Sequence, residues 1–576
     1  MPSPVPPLRM PDHLLTELAH GGGSAQALAF LEGGERARRL LLLRTLHAHL
    51  DSLPATPLTP AAEVWRVFTA AADKAPEAVD RLLLAPQVGN WLAHMLRRMH
   101  GTAHGPPLWA EAGRLGTLAV AAALGAGTEA DVLVPLTDGA VHLPELGTAQ
   151  LAGAEPGVSI GRATARAGEL TLTAVPQASI TPLTCRPATV PVDTDDPDVV
   201  RQGPRWVPLR TLTHRTATSV ATITLDDLDP YRDLDEPISP ARLDHDEAVA
   251  WQEMFDEAAD ILAAAGPEAG PGRLDPEVIR TVVPWGRTSL LPPPPPDVRV
   301  SATSGDSYAA MLIARPSSAL ALAETLVHEF QHSKLAALLH LFPLLDDDRE
   351  ERYYAPWRAD PRHLTGLLHG AYAFTGVAGF WRDRLRVPED AEAAAYHFVL
   401  RRTQCRLVVR TLLASERLTA PGRALVTGLA RTLDGWLREP VDPAPLARAR
   451  TAAWLHRTEW RLRNVAAEDT DRRTVTWDRP RLRPDRVSWP DVRTYAFAAR
   501  PTDPRTADEY LAAGDPAAAL SLYADALAGD PAEPHALAGW IVARALHPEA
   551  LGGSEARRLL ARPERVRVIP PERQRT

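Results

Sequence analysis

The 576-residue sequence predicts an α+β protein: a helical N-terminal region, a β-rich middle, a two-helix metal core and a helical C-terminal region. Three observations predict it. Apolar residues recur at three-to-four spacing over residues 10–125 and again beyond 389. Between about 130 and 225, short β-branched runs are cut by Gly, Pro and Asp. In between, His328, Glu329 and His332 stand as His-Glu-x-x-His inside a run of helical periodicity. The corresponding stretches are 1–128, 129–240, 241–470 and 471–576, so several structural units are expected.

In the first stretch, Leu14, Leu15 and Leu18, then Leu28, Phe30 and Leu31, then Leu40 to Leu43 mark helices, broken at Gly21 to Gly23 and from Pro54 to Pro60. Arg38, Arg39 and Arg44 fall on the polar side and read as a solvated face. In the second stretch, Val132 to Pro135, Ala140 to Pro144, Ser159 to Gly161, Leu170 to Val175, Trp206 to Leu209 and Val220 to Leu225 read as mainly antiparallel strands. Asp226, Asp227 and Asp229 lack calcium-loop spacing and are expected to cap the turn at Pro230 and hold Arg232. In the third, residues 241–265 are helical, Pro292 to Pro296 enforce an extended linker, and Val298 to Ser301 and Tyr308 to Ala314 read as strands. Long amphipathic helices follow over 389–435 and 443–465. Residues 506–546 resemble one tetratricopeptide-like hairpin, which by itself forms no solenoid and is expected to cap the fold.

Composition excludes some functions. A net charge of −9 and a pI near 6.1 argue against a general nucleic-acid binder. No apolar run reaches the ~18 residues a membrane span needs, and the N-terminus carries no apolar signal region. Two distant cysteines imply no disulfide framework. A cytoplasmic protein is expected. Lys74 and Lys334 are the only lysines among 63 basic residues, so most arginines reflect a GC-rich coding style.

On a helix, His328 and His332 lie one turn apart on the same face, where two imidazoles can hold one divalent ion. Glu329 follows on a neighbouring face, within reach of a metal-bound water. A third ligand is needed. His369 is the candidate, at the end of the apolar stripe Leu364, Leu367 and Leu368, with Gly366 and Gly370 beside it to allow close helix approach. His363 and His340 compete, but His340 sits eight residues past His332, ~12 Å along the helix. Three imidazoles suit several metals, and these residues taken alone point to zinc. Glu329 would then be the general base of a metallopeptidase.

The flanks carry a resemblance. Leu-Val-His-Glu-Phe-Gln-His-Ser-Lys-Leu, the Tyr353-Tyr354-x-Pro-Trp357-Arg358-x-Asp360-Pro-Arg362 segment, the Leu-Leu-His-Gly helix, Leu225 to Arg232 and the opening Leu-Ala-His-Gly-Gly-Gly together resemble a family of actinobacterial peptide-modifying proteins, the HExxH-type 2-oxoglutarate-dependent peptide β-hydroxylases found beside radical-SAM maturases. The resemblance implies Fe(II) in place of zinc, with 2-oxoglutarate and O₂ as cosubstrates, a ribosomally made precursor peptide as substrate, and a radical-SAM maturase as a possible partner. Glu329 would then orient a ligand or water. The far carboxylate of 2-oxoglutarate requires a cation, and Arg358, Arg362 and Lys334 are the candidates, although each arginine could equally pair with Asp360 or Asp346 to Asp348. Tyr353, Tyr354 and Trp357 could line a substrate cleft or simply pack. A non-catalytic peptide-binding partner of a maturase is the further alternative.

Overall fold

The structure is a computed structural model that describes residues 8–50, 56–176, 180–192, 203–216, 219–234, 236–265, 269–285, 301–466, 482–483, 497–547 and 553–565. The chain is α+β, with helical ends around a β-rich middle. The described strands in chain order are β1 (Ala130–Thr137), β2 (Ala140–Leu143), β3 (Gly147–Gln150), β4 (Val158–Arg166), β5 (Glu169–Val175), β6 (Leu183–Cys185), β7 (Val190–Pro191), β8 (Arg205–Pro208), β9 (Arg210–Arg215), β10 (Val220–Leu225), β11 (Thr281–Pro284), β12 (Ser301–Ala302) and β13 (Ala310–Ile313). All six expected strand runs of the middle region are found. The polyproline run Pro292 to Pro296 lies outside the described residues.

Two compact units share the chain. One is Leu28–Pro267 with Leu274–Leu341. The other is Met1–Ala27 with Glu268–Arg273 and Phe342–Thr576. The four stretches read from the sequence describe texture along the chain. Compactness groups them otherwise, because distant segments fold together.

The first unit holds both sheets. One is antiparallel, in the order β6-β5-β4-β1-β2-β3-β8. Its inward residues Val132, Val134, Leu170 and Leu172 share a core with Phe68, Trp91 and Leu118 of the N-terminal helices. The other sheet, β12-β13-β11-β10-β9-β7, is mixed. There β10, β11 and β13 run parallel, with β9 antiparallel to β10. The mainly antiparallel reading of residues 130–225 holds for the first sheet; the parallel pairing of β10 with β11 involves a strand past that stretch, reached because the helix His245–Ala263 carries the chain from β10 back to the start of β11. That helix starts on a capping box, with Asp244 and Glu247 each binding the other's backbone N–H.

Two polar expectations separate on inspection. Arg39 is not solvated. It is 0% exposed and donates at 2.8 Å to the carbonyl of Leu83, the last residue of the helix Pro76–Leu83, and at 2.7 Å to that of Ala85, the N-cap of the next helix. Arg38 pairs with Asp306, and only Arg44 faces water as expected. Two of the three acids form the turn, while Asp227 instead holds Arg242 and the Leu243 N–H. Asp226 accepts the N–H groups of Leu228 and Asp229, and Asp229 accepts that of Tyr231. Arg232 is held through the Asp229 carbonyl at 2.8 Å, while Arg114 and His142 meet the Asp229 carboxylate itself. Burial within this salt-bridged setting leaves Asp229 well below the usual carboxylate range: Arg114 and His142 overcome the cost of desolvation.

The second unit is helical. The expected 389–435 helix is two, Ala391–Ala414 and Ala420–Trp436. Glu416 takes φ +56° between them, and Thr419 caps the second, whose first turn accepts Pro421. The helices Pro516–Gly529 and Pro534–Leu546 pack into one core with Tyr396, Leu455 and Phe497, so the repeat-like hairpin is part of this unit's interior. The helix Asp12–Ala19 belongs here too: the Tyr372 hydroxyl donates to the Leu18 carbonyl at 3.0 Å.

The segment ending at Arg273 is wedged against the helix Leu364–Arg384. Gly272 has φ +83°, and a Cβ there would lie 2.0 Å from the Phe380 nitrogen and 2.4 Å from the Gly376 oxygen. Backbone meets backbone, so nothing can rotate away. Gly272→Ala is therefore expected to lower unfolding stability by about 3 kcal/mol or more in denaturant titration. A loss below about 1 kcal/mol would show that the wedge yields.

Candidate metal centre

The helix Ala319–Leu341 follows β13 and is capped at its start by Ser318, whose hydroxyl accepts the Ala321 N–H at 3.2 Å. It is apolar on most sides: Leu322, Leu326, Phe330, Leu335 and Leu338 are all buried. His328 and His332 are half-buried on one side. Their Nε2 atoms lie 3.1 Å apart and their rings meet at 78°. Donors ~2.1 Å from one ion and 3.1 Å from each other subtend about 95° at that ion. The two nitrogens lie close enough to share one ion. Burial pushes His332 down to about 4, which favours its neutral ring.

Glu329 is 2% exposed and points elsewhere. The Ser301 hydroxyl donates to Oε1 at 2.7 Å and the Thr303 hydroxyl to Oε2 at 2.6 Å. Both carboxylate oxygens are therefore engaged from the β12–β13 connection. Burial raises the Glu329 pKa, and the two hydroxyls oppose that rise by favouring the charged form.

Lys334 is buried, and burial pushes it down to about 7. At 100° per residue it lies about 140° round the helix from the middle of the histidine pair. That direction argues against it as an anchor for an acid bound beside those imidazoles. His340 pairs with Glu35 at 2.7 Å, in keeping with its distance along the helix.

The remaining candidates lie in the second compact unit. His369 is half-buried on the helix Leu364–Arg384. Among the described residues, no group of three His, Cys, Asp or Glu side chains is gathered to hold an ion. The role expected of the flanking glycines changes. Gly366 meets only ordinary contacts, its nearest neighbours lying 3.7 Å from a built Cβ. Gly370 does allow a close approach, but by Trp357: a Cβ would fall 2.2 Å from that indole, which also stacks on Phe374 at 4.9 Å. Trp357 thus packs, and Tyr354 binds His456 at 2.7 Å. Tyr353 lies under Arg352, and its backbone pairs with Arg362 across a β-bridge. Arg358 and Arg362 share Asp360 at 3.0 and 3.3 Å, the former 47% exposed.

Compared with protein-family models and with curated proteins, the chain matches none. Among the described residues no helix is long and apolar enough to cross a membrane.

Sequence reasoning missed Ser301 and Thr303. Short hydroxyl residues beside a two-residue strand carry no pattern of their own. It also missed Asp347, which accepts the Thr365 N–H at 2.9 Å and pairs with His363 at 2.6 Å, so it caps the helix that carries His369. Desolvation raises the Asp347 pKa, but the hydrogen bonds from Thr365 and His363 outweigh it and hold the carboxylate below its usual range. A depressed carboxylate contributes stability above its unfolded pKa of ~3.9 and loses it as pH falls further. Asp347→Asn should cost about 1 kcal/mol at pH 7, and the gap from wild type should close below about pH 4 in thermal unfolding. A gap that persists in acid would assign the cost to packing.

Proposed function

We propose that the chain is an Fe(II)- and 2-oxoglutarate-dependent hydroxylase acting on the β-carbon of a residue in a ribosomally made peptide, in a reducing cytoplasm, with a radical-SAM maturase as candidate partner. The observation that carries this reading over hydrolysis is the doubly held Glu329. A peptidase needs its glutamate free to take a proton from water. Here both oxygens already accept hydrogen bonds from the sheet side, which suits a positioning role. The resemblance of the flanking segments points the same way.

When bound, Fe(II) with 2-oxoglutarate supplies the oxidation: one atom of O₂ enters a C–H bond and the other enters succinate as CO₂ leaves. The chain's own part is to hold and orient. His328 and His332 present two imidazole donors, with His369 as candidate third. Arg358 or Arg362 would meet the far carboxylate by a charge-assisted fork, in exchange for the Asp360 contact.

The deciding experiment supplies Fe(II), 2-oxoglutarate and air to the protein with a candidate precursor peptide and weighs the product. A gain of one oxygen, with succinate formed, is expected; two peptide fragments would instead establish the zinc peptidase. His328→Ala should abolish iron retention measured by elemental analysis. Of Arg358→Ala and Arg362→Ala, at least one should raise the 2-oxoglutarate KM by roughly tenfold. Unchanged KM in both moves the acid anchor outside this segment.

A further inference from the structure

The parallel strands β10, β11 and β13 open at their carboxyl ends onto a cavity of about 360 Å³. The crevice outside the carboxyl ends of parallel strands is where open α/β sheets bind ligands. This cavity lies in the same compact unit as the histidine pair.

Its walls divide by chemistry. Val283, Trp285 and Leu312 form an apolar side, and Asp227, Arg232 and Asp233 a polar one. Two of the three polar groups are already committed. Asp227 accepts from Arg242 at 3.2 Å and from the Leu243 N–H at 2.9 Å. Arg232 donates to the carbonyls of Asp229 and Ser239 at 2.8 and 2.6 Å. Asp233 accepts only the N–H of its neighbour Leu234, at 2.8 Å, and no cation pairs with it among the described residues. The wall itself carries Asp227 and Asp233 against Arg232, and with Asp227 paired to Arg242 it is Asp233 that would attract a cation. Across the cavity Trp285 keeps 37% of its surface exposed, leaving an aromatic ring against which a cation can settle.

We infer that this cavity is a subsite for a cationic side chain, arginine or lysine, of the bound peptide: its stem would lie along Val283, Leu312 and Trp285, and its head would meet Asp233. The inference rests on the peptide-substrate reading above for its role in the reaction.

Full-length protein is titrated at low salt with N-acetyl-arginine amide and with the leucine and glutamate counterparts, followed by ligand-observed NMR. Saturable binding of the arginine probe is expected, weaker by about tenfold in Asp233→Asn and in Trp285→Ala. The two variants act on opposite walls, so if circular dichroism shows one to be unfolded the other decides. The inference is overturned by no saturable binding, by equal binding in the folded variants, or by preference for the leucine or glutamate probe. No turnover is required. Binding without hydroxylation sinks the hydroxylase alone, and efficient hydroxylation of a peptide stripped of basic residues sinks the subsite alone.

Discussion

The grip of Ser301 and Thr303 on Glu329 is the constraint from which the candidate centre follows. A helix packed on a sheet can in principle rotate about its axis, and each residue of rotation swings a side chain by about 100°. Fixing one buried carboxylate at both oxygens removes that freedom. With Glu329 turned to the β12–β13 connection, His328 and His332 have a single direction left, and their nitrogens converge. The hydroxyls also lessen the cost of burying a charge that would otherwise take up a proton. The histidine pair is thus placed by a contact it does not itself make.

That connection is in turn tied down. Its Asp306 meets Arg38 and Arg97 of the N-terminal helices, and its Ala309 N–H donates to Ser333, one residue past His332. The turn after β10 is anchored in a comparable way, by Asp229 to Arg114 and His142. Buried ion pairs such as those of Asp229 contribute little net stability against an apolar alternative, but losing one partner is costly. In this unit they fix where loops run relative to helices, which is what a site assembled from several loops requires.

Much of this was legible from residue order. The helix bearing His328 and His332 was readable because its period is local, and the six strand runs because β-branched residues between turn formers leave a local mark. What escaped was non-local. Arg39 reads as a surface residue until the carbonyls of Leu83 and Ala85, more than forty positions on, are placed beside it. The parallel order of β10, β11 and β13 depends on how the intervening helix packs. Ser301, Thr303 and Asp347 act by contacts that no periodicity announces. Gly370 was rightly read as a point of close approach, but the visiting side chain, Trp357, belongs to a loop rather than to a helix.

The interleaving of the two compact units bears on how the chain is made. Leu28–Pro267 and Leu274–Leu341 leave the ribosome before the helices that follow Phe342, so the unit with both sheets can close first. The helix Asp12–Ala19 emerges before both, yet its partners Tyr372 and Gly428 are synthesised some 350 to 410 residues later. At roughly 5–20 residues per second, it waits tens of seconds with its apolar face uncovered. Leu14 and Leu18 are the side chains at risk during that interval, which makes the first thirty residues the natural place for a chaperone to hold the nascent protein.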